Sequence, residues 1–225
     1  MASIKGLKDR LNEWKPRIAS TFVVYLEAKK SPIDPKTIDT SFTMVTVTSP
    51  DDPLLPKLTS SKRQLKIARD AIASGHWDIL VALDADGEPA GRIWQTFDTE
   101  RALAHGVPRM KLAADEVLMF DLFVARQYRR SGIAMTMADA FFRRYDPDVS
   151  DMKLTYGFIT YENAPSILWH HSVGFTIVQT VNLLEIGPFI RWKIPFSDVP
   201  RFGPMSRKGR HTNPERELFG PALLP

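Results

Sequence analysis

Cysteine is absent from all 225 residues, which removes disulfides, thiolate metal sites and cysteine nucleophiles from consideration. No run of about 18 apolar residues is present to span a bilayer as a helix. The segment Met1-Ala-Ser-Ile-Lys-Gly-Leu-Lys8 lacks the apolar core of a signal peptide, so a cytoplasmic protein without membrane partners is the default expectation. An excess of one charge sign is also nearly missing. The net charge is +4, and the stretch from Arg201 onward, with five Lys/Arg and two Asp/Glu, carries three of those charges. The remainder is close to neutral and offers no extended basic stripe of the kind a nucleic-acid duplex needs. Internal repeats and low-complexity segments are lacking too.

The composition is ordinary for a folded chain, with 44% hydrophobic and 25% charged residues in 25.5 kDa. That length suits one domain with appendages. The expected division is an N-terminal extension over 1–35, a main domain over 36–200 and a basic Pro/Gly-containing tail over 201–225. Leu7, Leu11 and Trp14 fall at helical spacing, predicting a short helix there. Thr21 to Tyr25 is rich in β-branched and aromatic residues but short. Ser41 to Thr48 alternates and predicts the first strand of the main domain. After Pro50, Pro53 and Pro56, Ser60-Ser61 precedes a helix from about Lys62 to Ala73, which Gly75 ends. Asp78 to Leu83 and Gly91 to Phe97 form a hairpin across the Asp86-Gly87 turn. The polar stretch 98–114 is long for a connection, which points to a functional loop covering a site. Then follow a strand over 117–124, a helix over 132–145, strands near 153–160, 175–183 and 189–195, and a helix over 165–172. This order predicts an α/β fold with a mixed, mostly antiparallel central sheet flanked by helices.

Val124-Ala-Arg-Gln-Tyr-Arg129-Arg130-Ser131-Gly132-Ile133-Ala134 carries the most chemistry. A strand that ends in a tight basic turn and opens a helix aims backbone N–H groups at one spot, where the helix dipole favours an anion. Arg126, Arg129 and Arg130 beside it suit a phosphate or pyrophosphate. A basic strand-to-helix connection that binds nothing is the plainer alternative. A second segment, Asn163-Ala-Pro-Ser166-Ile-Leu-Trp169-His170-His171-Ser-Val-Gly174-Phe175, follows an apolar strand and ends in Gly-Phe.

Together and in this order, the two segments resemble the cofactor-binding motifs of the GCN5-related N-acetyltransferase (GNAT) superfamily. Arg129, Gly132 and Ala134 meet the first signature; Asn163, Gly174 and Phe175 meet the second. The resemblance covers roughly residues 40–196. It implies an acyl-CoA-dependent N-acyltransferase, with acetyl-CoA as the donor substrate and no metal, working by direct attack of an amine in a ternary complex. The backbone of Arg129, Arg130, Ser131, Gly132, Ile133 and Ala134 would hold the pyrophosphate, with small residues at 132 and 134 because a larger side chain would block it. Leu122, Phe123 and Val124 would offer their backbone to the pantetheine arm while their side chains pack in the core, and Asn163 would hold the arm from the other side.

Counting seven residues on from the Asn reaches a tyrosine in most of the family and His170 here. The resemblance makes His170 the candidate general acid, against the reading of His170 and His171 as two surface or half-buried imidazoles. Tyr161, or an unaided thiolate, is the alternative. Adjacent helical histidines point about 100° apart and make a poor metal pair. The candidate bases are Asp121 and Glu116. Strand alternation puts them on opposite faces, and burial of Asp121 in its apolar run would raise its pKa. Trp94, Trp169, Trp192 and Phe141-Phe142 read as core or pocket wall. The acceptor is open among a small amine, an amino acid, a protein amine or a nucleobase amine, and a homodimer is compatible. A longer acyl donor, or a non-catalytic acetyl-CoA-binding or nucleic-acid-associated module, are the rival readings.

Overall fold

The computed structural model describes residues 17–97, 112–160, 163–186 and 190–194. The expected helix near Leu7, most of the 98–114 stretch, Tyr161 and the basic tail lie outside the described residues. The chain divides into two compact units, one of Leu26–Ala104 with Met110–Gly157, the other of Met1–Tyr25, His105–Arg109 and Phe158–Pro225.

In the larger unit, strands β2 (Thr43–Val47), β3 (Trp77–Leu83), β4 (Pro89–Thr96), β5 (Glu116–Val124) and the start of β6 (Leu154–Thr160) lie side by side in that order. All neighbours are antiparallel except β5 and β6, which run parallel. Hydrophobic periodicity had placed each of these strands to within a few residues. The short helix α1 (Leu55–Leu58) was not foreseen; Pro56 sits in its first turn, where a missing N–H costs nothing. Helix α2 (Lys62–Ala73) starts at Ser61, whose hydroxyl accepts the Gln64 N–H, and stops before Gly75 at φ +76°. Leu55 and Leu58 of α1 and Ala68 and Ile72 of α2 pack with Val47, Ile79 and Val81 on one face of the sheet.

Helix α3 (Ile133–Arg144) covers the other face, burying Ile133, Met137, Ala138, Phe141 and Phe142. Its C-terminal end is tied by Arg144 to the buried Asp78, and Tyr145 donates to Gln95. Burial raises the Asp78 carboxyl pKa against the opposing pull of Arg144. Gly91 sets how closely α3 approaches β4. A Cβ there would lie 2.7 Å from Met137 Sδ and 3.1 Å from the Phe123 carbonyl oxygen. Gly91→Val is therefore expected to destabilise the protein by about 2 kcal/mol or more through overpacking, read as a lower urea midpoint.

The smaller unit pairs β1 (Arg17–Glu27) antiparallel with β7 (Thr176–Ile186), and β7 with β8 (Ile190–Ile194). Only 21–25 had looked strand-like. The longer strand exists because β7, more than 150 positions away, offers it a full ladder, such as Phe22 opposite Thr180. Helix α4 (Ala164–Ser172) precedes β7 and is opened by Asn163.

Candidate active site

The candidate anion turn begins where β5 ends. Ala125 N–H donates to the Ala90 carbonyl at 2.8 Å, and one 3₁₀ turn (Arg126–Tyr128) follows. Tyr128 fixes this turn to the hairpin: its hydroxyl donates to Asp84, whose other oxygen caps the amides of Asp86 and Glu88. That bonding lowers the Asp84 carboxyl pKa and raises the Tyr128 phenol pKa. The backbone then turns through two left-handed residues, Arg130 at φ +72° and Gly132 at φ +90°. Gly132 is the N-cap of the 12-residue α3 and brings no capping side chain.

Ser131 N–H is taken by the Tyr128 carbonyl, and Met135 and Thr136 N–H by the Gly132 carbonyl. Among the described residues, the N–H groups of Arg130, Gly132 and Ile133 take no acceptor. Arg126, Arg129 and Arg130 are exposed, and none of the three pairs with a carboxylate among the described residues. Arg129 instead donates through Nε to the Val124 carbonyl at 3.2 Å, and Ser131 Oγ donates to the Tyr128 carbonyl at 2.8 Å. The reason for glycine at 132 differs from the expected one. Its missing Cβ would face not the open turn but the strap of residues 34–41, 3.4 Å from the Thr37 carbonyl oxygen. The positive φ is what favours glycine there; the strap, held by an Asp39 N–H to Thr136 Oγ1 bond of 2.9 Å, would meet a Cβ only at ordinary contact distance. The strap is not legible from local patterning, because its bonds span 97 positions.

Strand β5 departs from the expected continuous buried strand. Residues 116–119 are buried, whereas Leu122 and Val124 are half-buried and Phe123 is 41% exposed. The side chains of 122–124 therefore do not form core as expected. Two causes act together. The ladder to β6 runs from Glu116–Leu154 to Met119–Gly157 and ends there. The ladder to β4 shifts register between Arg92–Phe123 and Trp94–Phe120, so β5 carries an extra residue. Asp121 sits in that bulge at φ +50°.

The bulge also overturns the expected placement of the two acids. The Phe120 ring stacks on Trp94, and Phe123 and Asp121 both meet Arg92. Trp94 and Arg92 are two apart on β4 and share a face, as do Glu116, Leu118 and Phe120 on β5. Asp121 thus joins the face that Glu116 occupies. Nor is Asp121 buried as expected. Its side chain is 47% exposed and ion-paired to Arg92 at 3.0 Å. Glu116 is only 4% exposed, accepting from Ala113 N–H at 2.8 Å and from the Tyr156 hydroxyl at 3.3 Å.

In the smaller unit, the Asn163 side-chain oxygen accepts the Ser166 N–H at 3.3 Å, so this residue is the helix cap, and its carboxamide nitrogen takes no acceptor among the described residues. His170 is neither on the surface nor half-buried: it is 4% exposed. Trp169 and Phe175 meet its ring edge-on, with centroids 4.8 and 4.9 Å away. Nδ1 lies 2.7 Å from the Ser166 carbonyl oxygen. A carbonyl only accepts, so Nδ1 carries the proton of a neutral imidazole. Burial pushes the pKa down to about 4. His171, by contrast, is exposed. Among the described residues, no group of three or more His, Cys, Asp or Glu is placed to hold a metal ion, and no helix is long and apolar enough to cross a membrane.

No family model matches the sequence, and no curated protein is significantly similar to it. Solved structures are similar in fold. A functionally unknown conserved protein from Staphylococcus epidermidis superposes with a TM-score of 0.50 at 10% identity, over 83% of this chain and 69% of that one. The GCN5-related glucosamine N-acetyltransferase region of a fungal multi-domain GH3 β-N-acetylglucosaminidase superposes with a TM-score of 0.51 at 10% identity, over 82% of this chain and 23% of that one.

Proposed function

We propose that this chain, which has the fold of the GCN5-related N-acetyltransferases, is an acyl-CoA-dependent N-acyltransferase with acetyl-CoA as its donor. The observation that carries the reading is the turn at 126–134. It combines a helix start without a side-chain cap with three N–H groups that take no acceptor and three guanidinium groups that pair with no carboxylate among the described residues. This donor set fits a diphosphate, which offers several anionic oxygens to convergent N–H groups. In that role Arg129 to Ala134 hold the diphosphate. The backbone of Leu122 to Val124, beyond the end of the β6 ladder, meets the pantetheine arm. When bound, the donor supplies a thioester carbonyl for attack by an amine.

The acid and base roles are read differently once the surroundings are considered. A neutral His170 with its Nδ1 proton on the Ser166 carbonyl has no imidazolium proton to give, so the thiolate leaves unaided or with a proton from water. Glu116 is enclosed and Asp121 is held by Arg92, so the amine loses its proton to water. An unchanged pH–rate profile for Asp121→Asn follows from this; a shifted profile would restore a carboxylate base.

The buried state of His170 also favours a second reading, a module that binds acetyl-CoA without turnover. Thiol release from acetyl-CoA across small amines, amino acids, amine-bearing peptides and nucleobase amines separates the two. Release above the amine-free rate with any acceptor supports the transferase, and binding without release supports the module. Longer acyl-CoA donors in the same assay test the donor length.

A further inference from the structure

Arg92 is the side chain that the turn and its motifs leave unexplained. It leaves the middle of β4 and meets β5 and α1 at once. Its Nε and Nη2 both donate to Asp121 Oδ2 at 3.0 Å, and Nη1 donates to the Leu58 carbonyl at the end of α1 at 3.1 Å. Its guanidinium lies over the Phe123 ring, 4.9 Å from the centroid. Two of these contacts fall on the extra residue of β5 and just beyond it, and the third ties Arg92 to α1. Asp121 is that residue, in a left-handed conformation at φ +50° that costs most side chains about 1–2 kcal/mol. An extra residue in a strand is free to migrate or be lost if the register slips by one, which would exchange the faces of Leu122, Phe123 and Val124.

We propose that Arg92 is a positioning residue that pins the β5 bulge and so fixes the backbone of Leu122 to Val124 for the pantetheine arm. The proposal rests on the acyl-CoA reading above. Arg92 touches no part of the donor itself; it acts through Asp121 and Phe123. A planar, five-donor guanidinium is suited to hold a carboxylate, a carbonyl and an aromatic face together, which an ammonium is not.

The test compares coenzyme A with ADP, which lacks the pantetheine arm and the ribose 3′-phosphate; each ligand is read as the ratio of variant to wild-type affinity, so that the constant share of the 3′-phosphate cancels. Arg92→Ala is expected to weaken coenzyme A at least about fivefold by calorimetry while ADP changes less than about twofold. Asp121→Asn is expected to keep coenzyme A affinity within about twofold, because Asn tolerates a left-handed backbone and still accepts from Arg92. In the ligand-free protein, Arg92→Ala should speed hydrogen exchange at the amides of 120–124 and leave the β2–β3 ladder unchanged. Equal losses of ADP and coenzyme A, or no loss of either with unchanged exchange at 120–124, would overturn the pin. Wild-type protein that binds neither ligand would remove the acyl-CoA reading instead, and the exchange measurement would still decide whether Arg92 holds the bulge.

Discussion

Replacing Gly132 by glutamate is expected to lower coenzyme A affinity at least about a hundredfold, a loss of about 2.7 kcal/mol. Three effects add. Any L-residue at φ +90° is strained, a glutamate chain would extend from a Cβ already in contact with the Thr37 carbonyl of the strap, and a carboxylate would sit among amides proposed to hold a diphosphate. Because the first two effects also weaken the fold, the variant needs a companion that leaves the backbone alone. Arg126, Arg129 and Arg130 are exposed and form no carboxylate pair among the described residues. The triple substitution to alanine should therefore keep the melting temperature within a few degrees while lowering affinity at least about tenfold and flattening its salt dependence. Wild-type affinity in the triple variant would detach the arginines from the ligand.

The second large effect concerns pH and His170. In the unfolded chain its pKa is near 6.5, and in the fold burial pushes it down to about 4. Between these values the unfolded state binds more protons, so stability rises with pH across this window. The stabilising difference is fully present above about 6.5 and is lost as the pH falls toward 4. At about 1.36 kcal/mol per pKa unit the change is about 3 kcal/mol. Asp78 acts in the opposite sense, since a carboxyl with a raised folded pKa favours the fold as the pH drops. The measurement is therefore a difference, with urea unfolding at pH 7 and pH 4.5 for wild type and His170→Phe. The variant should be the less stable at pH 7, having lost the bond to Ser166, and should lose less on acidification. An identical pH dependence in both proteins would mean that His170 is not the buried, neutral group described here. The same variant should leave coenzyme A affinity nearly unchanged.

What the sequence disclosed and what it hid divide by the range of the interactions. The turn at 126–134 was legible because its determinants are local: an apolar strand, a basic turn, a glycine and an amphipathic helix with Met137 and Phe141 on one face. Asn163 was singled out by the resemblance alone, and its role as a helix cap reaching three residues on is what the structure adds. The bulge was not. It exists through pairing with β4 and through an ion pair spanning 29 positions, and a run such as Met119-Phe-Asp-Leu-Phe-Val124 reads as a regular strand without them. That single irregularity moved Asp121 to the other face, brought it to solvent and broke the expectation of a buried strand. His170 was hidden differently. Ile167, Leu168, Trp169, His170 and His171 give α4 no clear apolar side, so which imidazole turns inward is settled by Phe175 and the chain beyond it.

The central claim is that amides at the start of α3 hold the diphosphate of an acyl carrier. Amide NMR of the full chain titrated with coenzyme A tests it most directly. The account predicts that the largest shifts fall on Arg130, Gly132 and Ile133, with smaller ones on Leu122 to Val124, and that ADP reproduces the first group alone. Saturation by coenzyme A with those three amides unmoved, or no saturation at all, would contradict it.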